Sequence, residues 1–248
     1  MKLFTVFVAI LLAVYLLVVS GVLNSTKVRE TFRLPLPEVP ERNLLLPDLV
    51  VTKPKELYIR NVGEKKTIRF STTFINFGKG PLEIIGHTDK KSNMTYAAQY
   101  IGEESGPGLY QDVGSFVFHP EHDHWHLESY VYYQLLAFKD GQLLAETEKK
   151  SFCIFDEIKQ TSDLENVPTS RFYSSNCDRQ IQGMSVGWSD TYLARFEGQE
   201  LDVTGIPDGR YIFRSIINPE RSIMEDNYDN NTADTVIAIT GNRLEVEE

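Results

Sequence analysis

The chain has 248 residues, with 25 Lys plus Arg against 35 Asp plus Glu and a formal net charge of −10. So acidic a chain repels phosphate, which excludes nucleic acid as a partner, and a hydrophobic content of 42% excludes a disordered chain. Two cysteines are too few for a disulfide scaffold, so a packed core must carry the stability.

Residues 1–24 open on Met1 and Lys2 and continue as the uncharged apolar run 3–23. As a helix rising about 1.5 Å per residue, this run is long enough for a hydrocarbon core of about 30 Å. It exceeds the apolar core of an ordinary signal peptide, about 7–15 residues, and so favours a signal anchor. A signal peptide cleaved near Val18-Val19-Ser20 is the other reading. Lys27, Arg29 and Arg33 follow the segment and only Lys2 precedes it. That asymmetry alone would keep the domain in the cytoplasm, but long domains translocate largely regardless of charge. Residues 25–46, with Pro35, Pro37 and Pro40, read as a Pro-rich linker, and residues 47–248 as the globular domain.

In 66–74, Ile68, Phe70 and Phe74 alternate with Thr67, Arg69, Ser71 and Thr73, the pattern of a half-buried strand. Gly78, Gly80 and Pro81 then make a turn before a strand at 82–85. Residues 130–138 are aromatic and aliphatic nearly throughout and suit a central strand. Asp140-Gly141 signals a hairpin into 142–147 and on to Phe152. Pro207-Asp208-Gly209 precedes a strand at 210–218, and 235–239 is the last. No window after residue 30 carries a helical stripe. The expected fold is mainly β, an antiparallel β-sandwich-like domain with long loops, preceded by one N-terminal apolar helix. Stretches 87–120 and 154–190 show no regular period; unstructured loops longer than about 15 residues are functional or disordered.

Four of the five histidines, His119, His122, His124 and His126, lie within 119–126. His122, His124 and His126 alternate, so an extended backbone turns all three to one side. Alternate side chains stand about 6.5–7 Å apart, and a twist must bring the outer two onto one ion. Three imidazoles suit copper, zinc or nickel, with copper bound most tightly. Zinc hydrolysis, copper redox chemistry and plain metal carriage all fit this motif.

Four segments together resemble the catalytic domain of the lysyl oxidases, which are copper- and quinone-dependent amine oxidases. His122-Asp123-His124-Trp125-His126 is similar to that family's His-x-His-x-His copper site. Lys149-Lys150-Ser151-Phe152-Cys153 resembles its Lys-Ala-Ser-Phe-Cys segment, and 182–192 resembles the stretch that ends in Asp-Thr-Tyr. Asn218-Pro219 and 225–231 resemble its carboxy-terminal part. The resemblance implies that Lys149 and Tyr192 cross-link into lysine tyrosylquinone, with copper on His122, His124 and His126. It implies oxidative deamination of a primary amine, such as a peptidyl lysine, by dioxygen to an aldehyde, with release of ammonia and hydrogen peroxide.

Animal members carry several disulfides, whereas here only Cys153 and Cys177 match the family's half-cystines. The expectation is that they pair with each other, which implies an extracytoplasmic domain, either membrane-anchored or secreted. Animal members also have a His where this chain has Glu148, so Glu148 or His119 is the candidate general base. In family members of this pattern a calcium site joins an Asp-Leu pair to the carboxy-terminal loop. The matching residues are Asp48, Leu49 through its carbonyl, Glu225, Asn227, Asn230 and Asn231. Six to eight oxygen donors suit calcium. The alternative is a non-enzymatic extracellular module, either an immunoglobulin-like β-sandwich or a copper-binding one.

Overall fold

A computed structural model describes residues 43–121, 123–148 and 150–247. The apolar segment 1–24, most of the linker, His122 and Lys149 lie outside the described residues. Among the described residues no helix is long and apolar enough to cross a membrane.

Those residues form strands throughout. In chain order they are β1 (Leu44–Leu45), β2 (Leu49–Val51), β3 (Lys55–Val62), β4 (Lys65–Asn76), β5 (Leu82–Thr88) and β6 (Thr95–Glu103). Next come β7 (Gly106–His119), β8 (His124–Ala137), β9 (Leu143–Glu146), β10 (Lys150–Phe152), β11 (Ile158–Lys159) and β12 (Ile181–Met184). The last are β13 (Trp188–Tyr192), β14 (Glu200–Asp202), β15 (Gly209–Ile217), β16 (Thr232–Thr240) and β17 (Arg243–Glu247). The larger sheet runs β12-β5-β6-β7-β8-β15-β16-β17, with β1 on β6 and both β9 and β10 on β8. The smaller runs β11-β13-β4-β14, with β2 and β3 also on β4. Every pairing between these strands is antiparallel.

The sheets meet through aromatic side chains. Phe70 of β4 lies 4.4 Å from Tyr133 of β8 and 4.7 Å from Phe213 of β15, ring centre to ring centre. Phe74 meets the edge of Tyr130 at 5.5 Å. Tilted rings at such spacings gain about 0.5–1.5 kcal/mol each beyond the area they bury. The apolar face of 66–74 is thus the core face its alternation predicts.

The polar face of that strand is buried too, which the alternation does not predict. Arg69 is 4% exposed. Its guanidinium donates to the carbonyls of Ala194 and Phe196 and to Glu200, at 2.7–2.8 Å. A charge is buried at tolerable cost only when its hydrogen bonds are met, and here the 194–200 segment meets them.

The stretch 87–120 is not a loop. It holds the whole of a long hairpin, β6 and β7, in which Tyr96 pairs with Ser115 and Tyr100 with Tyr110. The inward face of β6 is Thr95, Ala97, Gln99 and Ile101, all buried. Two of the four are polar, which hides the apolar period. Gln99 exchanges two hydrogen bonds of 2.8 Å with the backbone of Met224, so its polarity fastens the carboxy-terminal loop to the sheet.

The stretch 154–190 is largely irregular, and buried side chains organise it in place of a ladder. Asp156 is fully buried and accepts from the backbone N–H of Phe172, Tyr173 and Ser185 and from the Ser185 hydroxyl, at 2.7–3.2 Å. Gly183 lies where β12 meets β5; a Cβ there would come within 2.3 Å of the Leu82 carbonyl and 2.7 Å of the Tyr173 ring.

Candidate active site

Residue pairing between β7 and β8 sets His119 opposite His124 and Val117 opposite His126. Asp123, immediately before β8, is left-handed (φ 55°). His124 Nε2 and His126 Nε2 approach to 2.8 Å. The ring of His119 stacks on that of His126 at 4.2 Å. Ser151 Oγ lies 3.0 Å from His119 Nε2 and 3.5 Å from His126 Nδ1, linking β10 to the imidazoles.

Two ring nitrogens each about 2.0–2.1 Å from one ion, at right angles, are about 2.9 Å apart. The observed 2.8 Å between His124 and His126 fits a shared ion of that kind. Among the described residues no three His, Cys, Asp or Glu side chains converge to hold an ion. The expected third ligand, His122, lies outside the described residues.

Tyr192 ends β13. It is buried, and its hydroxyl donates to the Cys153 carbonyl at 2.7 Å. The Phe152 ring meets it edge-on at 4.0 Å. Burial first, and the Asp190 carboxylate second, push the phenol well above its usual range, so it stays protonated at neutral pH. Tyr192 is the wall shared by two cavities. One, of about 220 Å³, is lined also by His119, His126, Lys150, Ser151 and Glu197. The other, of about 460 Å³, is lined also by His124, Asp190, Glu157, Phe155 and Phe196. Lys149 lies outside the described residues, one position before Lys150. Glu148 is exposed and lines neither cavity.

Cys153 and Cys177 form a disulfide, with Cα atoms 5.6 Å apart and a sequence separation of 24. The bridge sits at the site itself. The Cys177 carbonyl accepts the N–H of Trp125, between His124 and His126, at 2.9 Å. Gln182 donates to the Trp125 carbonyl at 2.8 Å and accepts from the Ile154 N–H at 3.1 Å. The cross-link thus joins the segment holding the Tyr192 hydroxyl to the one holding the histidine strand. Replacing both cysteines by Ser should cost about 3–4 kcal/mol in the loop-entropy picture. Urea titration checks this: the midpoint should fall, and an unchanged midpoint would refute it.

The proposed calcium ligands divide. Glu225 is buried; Oε2 accepts the Leu49 N–H at 2.9 Å, and Oε1 accepts from Asn218 and Asn231 at 2.6 Å. Burial pushes the Glu225 carboxyl up, with nearby Asp48 adding to it and the three donors opposing. Asn230 donates to Asp48 at 2.7 Å, and the side-chain oxygens of Asn230 and Asn231 have no donor. Asn227 is exposed, its side-chain oxygen accepting the Asp229 N–H. These residues fit a cation in part: two amide oxygens are available, but both Glu225 oxygens already serve N–H donors.

Sequence reasoning gave no role to Asp156, Ser151, Glu157 or Asp190. Asp190 stood within the matched 182–192 segment, and its signal was a lone charge in a short strand between Trp188 and Tyr192.

The sequence profile of the family described as lysyl oxidase matches residues 107–248. The chain is 34% identical over 125 residues to lysyl oxidase homolog 1 of Homo sapiens, across 50% of this chain and 20% of that protein. To lysyl oxidase homolog 4 of Homo sapiens it is 30% identical over 186 residues, across 73% of this chain and 20% of that protein. To protein-lysine 6-oxidase of Rattus norvegicus it is 32% identical over 132 residues, across 51% and 29% respectively. The matches thus span 20–29% of these relatives' lengths.

Proposed function

We propose, from the premise that this chain belongs to the lysyl oxidase family, that it is a copper-dependent amine oxidase whose quinone is built from Lys149 and Tyr192. The observation that carries this reading is Tyr192 as the common wall of two cavities, one lined by His124 and the other by His126. His122, His124 and His126 would hold the copper. The quinone would supply an electrophilic carbonyl and an electron sink for the oxidation of a primary amine, with dioxygen and water, to an aldehyde, ammonia and hydrogen peroxide.

The chain's own groups have definable tasks. The Cys153 carbonyl fixes the Tyr192 oxygen, and the edge of Phe152 fixes the ring. Ser151 and His119 orient His126 by hydrogen bonding and stacking. Of the two candidate bases, His119 is favoured by lying on a cavity that Tyr192 lines, whereas Glu148 is exposed. The substrate is a primary amine, free or as a peptidyl lysine. Calcium at the Asp48 and Glu225 loop would tie β2 to the carboxy-terminal loop and serve stability rather than chemistry. The domain belongs outside the cytoplasm, membrane-anchored or secreted, a placement that the disulfide supports.

The test is to load the full chain with copper in air, treat it with phenylhydrazine and look for a coloured adduct. Peptide mass analysis should then find Lys149 joined to Tyr192. His126→Ala should remove tight copper binding and the adduct together. Copper binding without a cross-link would defeat the oxidase and leave a metal-binding module.

A further inference from the structure

The larger cavity beside Tyr192 holds two carboxylates that the chemistry above does not use. Asp190 is 2% exposed, and the backbone N–H groups of Phe155 and Thr191 donate to its carboxylate. Its Oδ1 has no partner, nor has the buried Oε2 of Glu157. The two residues are close enough for Glu157 to help push the Asp190 carboxyl up, after burial itself. Neither takes part in an ion pair among the described residues. Arg195 also lines the cavity but is exposed and lies over the Phe196 ring.

Buried like charges without a counter-ion are costly, and such a cost is commonly kept at functional sites. The rest of the lining is mostly apolar, with Phe155, Leu193 and Phe196 beside Tyr192, and also includes His124, Ser175 and Thr191. A fully hydrated ion gains nothing from the apolar part of these walls. A cation carrying a hydrocarbon stem gains from both features, burying methylenes at about 0.8 kcal/mol each while its charge meets the carboxylates.

We propose that this cavity binds the ammonium end of an unbranched alkyl chain, with Asp190 and Glu157 receiving the ammonium and Phe155, Leu193 and Phe196 enclosing the stem. The proposal deepens the amine-oxidase reading and rests on it: it names the residues that select a primary alkylamine and present it to the Tyr192 ring.

Calorimetry on the full chain carrying Tyr192→Phe, which leaves no quinone for an amine to react with, tests it. The probes are n-hexylammonium and its neutral counterpart 1-hexanol at neutral pH. The ammonium should bind about tenfold more tightly than the alcohol, and adding Asp190→Asn should erase that preference. Glu157→Gln should weaken the ammonium by a smaller factor, because Glu157 is only half-buried. Asn keeps an acceptor for the Phe155 and Thr191 amides. It also removes a carboxylate whose folded-state pKa lies above its unfolded value and which therefore costs stability as pH rises. Asp190→Asn should accordingly raise the melting temperature at neutral pH more than at pH 4. Equal binding of alcohol and ammonium, or an ammonium preference that survives both substitutions, overturns the proposal. Competition by N-acetyl-lysine methylamide would indicate lysine side chains as the source of the ammonium, and its absence small amines. A Lys149–Tyr192 cross-link in the unaltered chain without ammonium preference defeats this inference alone. A preference without the cross-link defeats the oxidase reading alone.

Discussion

Tyr192→Phe is expected to reduce amine oxidation and the phenylhydrazine adduct to the assay floor while the protein stays folded and still binds copper. The substitution removes one oxygen. The ring keeps its edge contacts with Phe152 at 4.0 Å and Phe196 at 6.3 Å, so the core around it is unchanged. What is lost is the hydrogen bond to the buried Cys153 carbonyl. Leaving a buried acceptor unmet costs about 1–3 kcal/mol, a modest fall in melting temperature. The imidazoles of His124 and His126 reach each other without help from the phenol. Complete loss of activity with retained copper therefore separates cofactor formation from folding and metal binding. Amine oxidation by the Phe variant would remove Tyr192 from the chemistry.

Asp156→Ala should produce the largest loss of stability of any single change outside the aromatic core. It withdraws the acceptor from three backbone amides and one hydroxyl at a position with no solvent access. Each buried donor left unmet costs about 1–3 kcal/mol, so the sum is about 4–6 kcal/mol after partial relaxation. These donors come from 172–173 and from 185, and their loss frees the irregular stretch on which Tyr192 and Cys177 depend. Urea unfolding measures it, and a change below about 1 kcal/mol would show that the clamp is dispensable. Asp156→Asn should fall between, since an amide presents one acceptor oxygen where a carboxylate presents two.

The alternation of Ile68, Phe70 and Phe74 announced a core-facing strand because period two is intrinsic to the pleat. The Asp140-Gly141 hairpin was equally legible, for only Gly adopts the positive φ of 72° there without strain. The hairpin of β6 and β7 was not, because Thr95 and Gln99 face inward as polar residues. Arg69 misled in the same way. For Gln99 and Arg69 the partner that satisfies the polar group lies 125–131 residues away along the chain, beyond the reach of any local pattern.

By itself the sequence determined the β class, the histidine cluster and the paired cysteines, since these rest on short-range periodicity, residue chemistry and matched motifs. Only the tertiary structure decided that Tyr192 walls both the cavity lined by His124 and the one lined by His126, and that the disulfide braces the histidine strand. It alone showed Asp190 to be buried beside Glu157. Burial and convergence are set by contacts between segments far apart in the chain. The same Asp in the same tripeptide is a solvated charge on one fold and a desolvated one here.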